Sequence, residues 1–239
     1  MSSDSELQRL ANQHVVLKSG MGTLALAPVD FTSPNLRILD SGTADGLWLR
    51  ELDESVGGSH TYVGTDIVPE FFPKHPPQRH SFHVQSITQD WPDSWASTFD
   101  YVHQRLVLVG AGQSPLSECI GRLAKLAKPG GWVELVEYDF TEELENGPAI
   151  RRLDLMMQKI LDKVGVGIDF STRMKGYLSD ASLVDMQEKV FYVPYGAACL
   201  DADVAKKGVE HLVTASIGLQ GYLNGMGCGI SVSKQLMDC

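Results

Sequence analysis

Arg37-Ile38-Leu39-Asp40-Ser41-Gly42-Thr43-Ala44-Asp45-Gly46 is the stretch that decides the fold. The apolar run Arg37 to Asp40 ends at an acid and a glycine-rich turn, and it reads as a buried strand. Leu47 to Leu52 (LWLREL) then places apolar residues at the helical period. A strand, a turn of small residues and a helix let backbone approach a ligand closely, beside helix N–H groups that lack intrahelical partners. A dinucleotide site calls for G-x-G-x-x-G with pyrophosphate over the helix N-terminus. Here the spacing is Gly42-x-x-x-Gly46, and Ala44 stands where the middle glycine belongs, which weakens a NAD reading. A ligand with an amino-acid end and no phosphate asks for something else: an acid for the ammonium, met by Asp40, and loop N–H groups for the carboxylate. Ser41, Gly42, Ala44 and Gly46 would line it. Taken alone, the loop fits an empty βα turn equally well.

Outward from this loop, acidic or polar residues recur at the ends of expected strands. Thr61 to Ile67 (TYVGTDI) is a second strand ending at Asp66, where an acid can accept both hydroxyls of a ribose. Ser81 to Ile87 is a third, closing on Gln85-Ser86-Ile87, with Ser86 and Ile87 placed for an adenine ring. A fourth runs from Phe99 to about Leu108. Alternation puts His103 and Arg105 on one face and Gln104 on the other. Leu116 to Ala127 reads as a helix stopped by Lys128-Pro129-Gly130-Gly131. Trp132 to Tyr138 reads as a fifth strand, with Glu137 and Tyr138 near the mouth of the site. Segments 5–20, 147–164, 171–179 and about 202–223 read as helices, and about 187–195 as a further strand. Strands alternating with helices predict an α/β, doubly wound parallel sheet. Ligands bind such sheets outside the carboxyl ends of the strands.

The 239 residues, 43% hydrophobic, suffice for one large α/β domain, expected to span 1–239. Net charge is −10, with no basic cluster, so nucleic acid is not an expected partner. No apolar run approaches the length that spans a bilayer, so no membrane is expected either. The N-terminus lacks the apolar core of a secretory signal. The four cysteines form no CxxC pair, which suits a cytoplasmic protein, with the nucleus also open. His75, His80 and His83 fall close together but match no metal-site spacing, and no metal is expected.

As a series these loops resemble the motifs of class I S-adenosylmethionine (SAM)-dependent methyltransferases, whose sheet is Rossmann-like. The wording "ILDSGTADGLWL", "YVGTDIVPEFFP", "FHVQSITQDWP", "FDYVHQRLVLVGAG" and "LAKLAKPGGWVELVEYD" is similar to a fungal secondary-metabolite branch, related to the regulator LaeA and to the N-methyltransferase of the gliotoxin pathway. The opening "RLANQHVVLKSGMGTLALAPVDF" resembles that branch too. The resemblance is strong over roughly 9–140 and weak beyond. It implies SAM as cofactor: Asp40, Gly42 and Gly46 at the methionine part, Asp66 at the ribose with Ile67 beside the adenine, Ser86 and Ile87 at the adenine, and Gln104 and Arg105 beneath the sulfonium. Gln13 and His14 would close over it. Ala44 and Ser86 depart from the usual residues of the family. The family's sheet normally closes with an antiparallel strand, and 226–239 (MGCGISVSKQLMDC) offers no convincing one. Either that strand is missing or something else occupies the edge, where a homodimer would form.

The resemblance also implies transfer of a methyl group to a small-molecule nitrogen, oxygen or sulfur. Candidate general bases are His103, Glu137 and His14. Residues 1–30 form an expected helical cover, and 141–180 with 202–225 an expected substrate cover. Tyr138, Met156, Met157, Phe170 and Tyr222 would contact the substrate. The alternatives are a SAM-fold protein repurposed as a cyclase or regulatory partner, since fold does not fix function, and a NAD-dependent oxidoreductase.

Overall fold

A computed structural model describes residues 2–142 and 147–225. These divide into two compact units. One, from Thr23–Tyr138 and Phe170–Lys189, holds the sheet. The other gathers the described parts of 1–22, 139–169 and 190–239 and is helical.

The sheet has five parallel strands: β1 (Arg37–Ser41), β2 (Thr61–Asp66), β3 (His80–Val84), β4 (Phe99–Arg105) and β5 (Ala127–Val136), in the order β3-β2-β1-β4-β5. The chain winds from β1 to β3 in one direction and then returns to the other side of β1. The switch point therefore lies between the carboxyl ends of β1 and β4, where the sequence placed its acidic loop. Alternation along β1 divides the core. Ile38 faces Leu24, Trp48, Leu49, Leu52, Tyr62 and Tyr101, under α2 (Leu47–Val56). Leu39 faces Val63, Trp91, Phe99, Val102 and Leu123, on the side of α3 (Leu116–Ala124). Burial on both faces accounts for the near-continuous apolar reading of these strands. The α/β doubly wound architecture expected from the sequence is thus present.

Several elements differ from expectation: β3 ends at Val84 and β4 at Arg105, earlier than Ile87 and Leu108. β5 begins at Ala127, so Lys128-Pro129-Gly130-Gly131 lies inside the strand rather than before it. The pairing is irregular between Phe99 and Tyr101. A Cβ on Gly131 would stand 3.0 Å from the carbonyl oxygens of Phe99 and Asp100. Glycine in this strand marks a close backbone approach at an irregularity, not an interruption. The strand expected at 187–195 is not formed: these residues have no ladder partner, and Val190 and Tyr192 are largely exposed. The apolar run Val190-Phe191-Tyr192-Val193 reads as a strand but has no neighbour to pair with. The last family strand, sought in 226–239, falls outside the described residues.

In the helical unit, α1 (Ser3–Met21) is capped by the Ser2 hydroxyl, which accepts from Ser5 N, and ends at Gly22 in the left-handed region. It packs on α6 (Ala202–Gly225), where Arg9 meets His211 Nδ1 at 3.3 Å and Asn12 donates to Glu210. Met156 and Ile160 of α4 (Pro148–Val164) bury against Leu223 of α6. The segment 141–180, read from sequence as one cover, is divided: α5 (Phe170–Asp180) belongs to the sheet unit and packs on α3. Among the described residues no helix is long and apolar enough to cross a membrane.

Candidate functional site

β1 delivers Asp40 and Ser41 to the switch point, both buried. Each meets its register partner on β4. Asp40 lies opposite His103, and its Oδ1 is 2.7 Å from His103 Nδ1; Ser41 lies opposite Gln104 and donates its hydroxyl to Gln104 Oε1 at 3.0 Å. Parallel register thus converts strand alternation into two side-chain pairs, one on each face of the sheet. The His103 ring lies flat on the Trp48 indole, 3.7 Å between centroids and 4° between planes.

The turn after β1 depends on left-handed backbone. Gly42 has φ +76°, and a Cβ there would collide with Val107; Gly46 has φ +75°, and a Cβ would come within 2.6 Å of the Phe82 ring. Ala44 also adopts positive φ, 51°. A methyl at this position is therefore accommodated, at a strain of about 1–2 kcal/mol relative to glycine. The loop N–H groups, expected to hold a ligand carboxylate, are largely engaged within the protein. Those of Gly42 and Thr43 donate to Thr65 O, Gly46 to Thr43 O, Leu47 to Asp45 Oδ1 and Ala44 to Asp66 Oδ2. Two hydroxyls in this region, Thr43 Oγ1 and Thr65 Oγ1, are buried without a partner.

Asp66 ends β2 and clasps the loop: Oδ2 accepts from Ala44 N at 2.9 Å and Oδ1 from Val68 N at 3.1 Å. Beside it Ile67 is 66% exposed, an apolar surface open to a planar ligand. Beyond β3, Ser86 Oγ accepts from Thr88 N and pairs with Thr88 Oγ1, while Ile87 is buried. Ser86 therefore holds its own turn, and Ile87 packs inward instead of presenting a side chain to a ring.

The family model described as a methyltransferase domain matches residues 7–186. The chain belongs to this methyltransferase family. Among curated proteins the methyltransferase is 44% identical to the N-methyltransferase sirN of Leptosphaeria maculans, over 87% of this chain and 74% of that protein. It is 36% identical to the N-methyltransferase gliN of Aspergillus fumigatus, over 88% and 76%. Among solved structures it resembles a complex between the Haloferax volcanii Trm112 methyltransferase activator and a methyltransferase, with a TM-score of 0.57 at 17% identity over 89% of this chain and 91% of that one. A second likeness, at TM-score 0.52, 15% identity and 97% against 46% coverage, is to Haemonchus contortus phosphoethanolamine N-methyltransferase 2 in complex with S-adenosyl-L-methionine. At such identities the two structures speak for the fold alone.

Other groups of the methyltransferase complete the sheet's carboxyl edge. Burial lowers the pKa of Arg105, against the raising influence of Asp40, Tyr138, Glu134 and Glu51. Glu137 follows β5, and its Oε1 accepts from Val107 N and Leu108 N, both at 2.9 Å. Burial raises its pKa to about 7 and the two backbone donors pull the other way. Because Val107 sits over Gly42, Glu137 fixes the loop that faces the glycine turn.

Sequence reasoning missed Glu134. Its Oε2 accepts from Leu26 N, Ala27 N and the Tyr101 hydroxyl, at 2.7, 2.7 and 2.8 Å, while Oε1 is buried without a partner. It lies opposite His103 in the ladder and ties the segment after Gly22 to the sheet. Burial, then the Glu134 charge, pushes the Tyr101 pKa well above its usual value. An acid inside the apolar run WVELV was the available signal, since a buried carboxylate demands donors.

Several expected substrate residues belong to the core. Phe170 is fully buried, and Met156 is fully buried beside Ile160 and Leu223. Neither side chain has surface exposed to solvent here. Met157 is half-buried, Tyr222 is exposed and Tyr138 is half-buried. His14, named as a base, is buried on α1 in the helical unit. His103 is 1% exposed, with its ring committed to Asp40 and Trp48; this favours holding a neighbour over meeting an acceptor. Of the clustered histidines, His80 stacks on Tyr62 and His83 meets the Trp95 ring edge-on.

Proposed function

We propose that the chain binds SAM at the carboxyl ends of β1, β2 and β4 and transfers its methyl group to a nitrogen of a small secondary metabolite. The observation that carries the nitrogen acceptor is the similarity at 44% and 36% identity to proteins named N-methyltransferases, sirN and gliN, with a third, tcpN of Claviceps purpurea, at 37%. The sulfonium cofactor fits a glycine turn that departs from the pyrophosphate pattern, an acid at the end of β1 and a second acid at the end of β2 beside an exposed isoleucine.

In this reading Asp40 faces the methionine ammonium, Asp66 the ribose hydroxyls and Ile67 the adenine, with Gln104 and Arg105 near the sulfonium. The Thr43 and Thr65 hydroxyls are further polar groups available in the same region. The reaction is an in-line displacement. The acceptor nitrogen's lone pair forms the new N–C bond as the C–S bond breaks, S-adenosylhomocysteine leaves as a neutral thioether, and the nitrogen sheds a proton. Holding the two reactants in line supplies about 7–11 kcal/mol. We assign the proton to Glu137, which lies just past the carboxyl end of β5 and has a pKa of about 7.

A homodimer through the edge strand β5, which pairs only with β4 among the described residues, and residence in the cytoplasm or nucleus complete the reading. Incubation with methyl-labelled SAM and a panel of small amines, phenols and thiols tests it. Label should appear on nitrogen, with stoichiometric S-adenosylhomocysteine. Binding of SAM with no S-adenosylhomocysteine formed from any acceptor would instead favour a repurposed fold.

A further inference from the structure

We propose that His103 is a positioning residue for the cofactor, acting through Asp40 to present a carboxylate to the ammonium of the amino-acid end. The inference rests on the SAM reading given above. Asp40 and His103 are register partners at the carboxyl ends of adjacent parallel strands, and Oδ1 and Nδ1 stand 2.7 Å apart. Their side chains are 5% and 2% exposed. With a carboxylate as its neighbour, Nδ1 carries the hydrogen and donates.

The plane of the ring is held by its stack on Trp48, and the contact with Asp40 selects the edge that carries Nδ1. Trp48 is itself anchored, its Nε1 donating to Leu24 O at 2.8 Å. A chain of fixed groups thus runs from the backbone at Leu24 through Trp48 and His103 to Asp40. It holds one carboxylate oxygen and sets the direction of the other, immediately before the turn at Gly42. A charge whose rotamer is locked before binding spends no ordering entropy when the ligand arrives. The ring's two functions are separable: the N–H orients Asp40, and the aromatic face fixes the first turn of α2.

Two substitutions separate them. His103→Phe keeps the stack on Trp48 and removes the donor. His103→Asn puts an amide nitrogen near the Nδ1 position and removes the stack. Calorimetry with S-adenosylhomocysteine and 5′-methylthioadenosine reads the amino-acid end alone, because both are thioethers of adenosine and only the first carries it. His103→Phe should weaken S-adenosylhomocysteine by about tenfold or more, the usual worth of a charge-assisted hydrogen bond, and leave methylthioadenosine within about twofold. His103→Asn should keep the ratio of the two affinities near that of the unaltered chain while lowering Tm. His103→Leu substitutes for the phenylalanine variant if that chain does not fold. An unchanged ratio in His103→Phe or His103→Leu, or equal weakening of both ligands, overturns the positioning role. Failure of the unaltered chain to bind S-adenosylhomocysteine or SAM overturns the SAM reading itself, and the inference with it.

Discussion

Replacing Glu137 with glutamine isolates the carboxylate that holds the loop after β4. Its pKa in the folded chain is about 7, against 4.5 for the free group, and the leading cause is burial. For an acid, a raised folded pKa means that the native state keeps a proton which the unfolded chain releases between pH 4.5 and 7. Stability therefore falls as pH rises through that window and stays lower above it. A difference of about 2.5 units corresponds to about 3 kcal/mol. Glutamine keeps an oxygen to accept from Val107 N and Leu108 N but has no charge to desolvate. Glu137→Gln should thus be about 3 kcal/mol more stable than the unaltered chain at pH 8.5 and about equal to it at pH 4. Urea unfolding at both pH values measures this. Equal stability at pH 8.5, or a variant less stable there, would show that the carboxylate is ionised at no cost and would refute the argument. The same variant should lose methyl transfer if Glu137 takes the acceptor's proton, so gained stability with lost turnover is the joint expectation.

Other perturbations address the turn, the clasp and the helical unit. Gly42→Ala places a methyl against Val107 at φ +76° and should cost about 2–5 kcal/mol, the sum of left-handed strain and overpacking, whereas Ala44→Gly should lie within about 1 kcal/mol of the unaltered chain by urea unfolding. Asp66→Ala should abolish measurable SAM binding with the fold retained by circular dichroism; unchanged affinity would remove Asp66 from the site. His211 has its pKa lowered to about 4 by burial and then by Arg9. The unfolded chain takes up a proton below pH 6.5 and the native state does not until about pH 4. Stability should drop by about 3 kcal/mol on acidification through that window. Glu137 acts oppositely over nearly the same range, so the effect must be read as the difference between the unaltered chain and His211→Gln.

Strands β1 and β2 were the most legible part of the sequence, because each is an apolar run that closes on an acid, and β1 on a glycine turn as well. The loop at Asp40–Gly46 and the acid at Asp66 follow from such local patterns. What the sequence concealed depends on partners far along the chain. Glu134 reads as a stray acid until Leu26 and Ala27, more than a hundred residues earlier, supply its donors. His103 reads as a candidate base until the register with Asp40 and the stack on Trp48 are known. The 187–195 segment carries the apolar run Val190 to Val193 of a strand, but an apolar run describes one segment and a ladder needs two. Gly131 reads as a helix stop, and only the neighbouring carbonyls of β4 show that it sits inside a strand.

Titration calorimetry of the unaltered chain with SAM and, separately, with NAD tests the central claim most directly. The account predicts saturable binding of SAM at one site per chain and no comparable heat from NAD. SAM binding no tighter than NAD would contradict it.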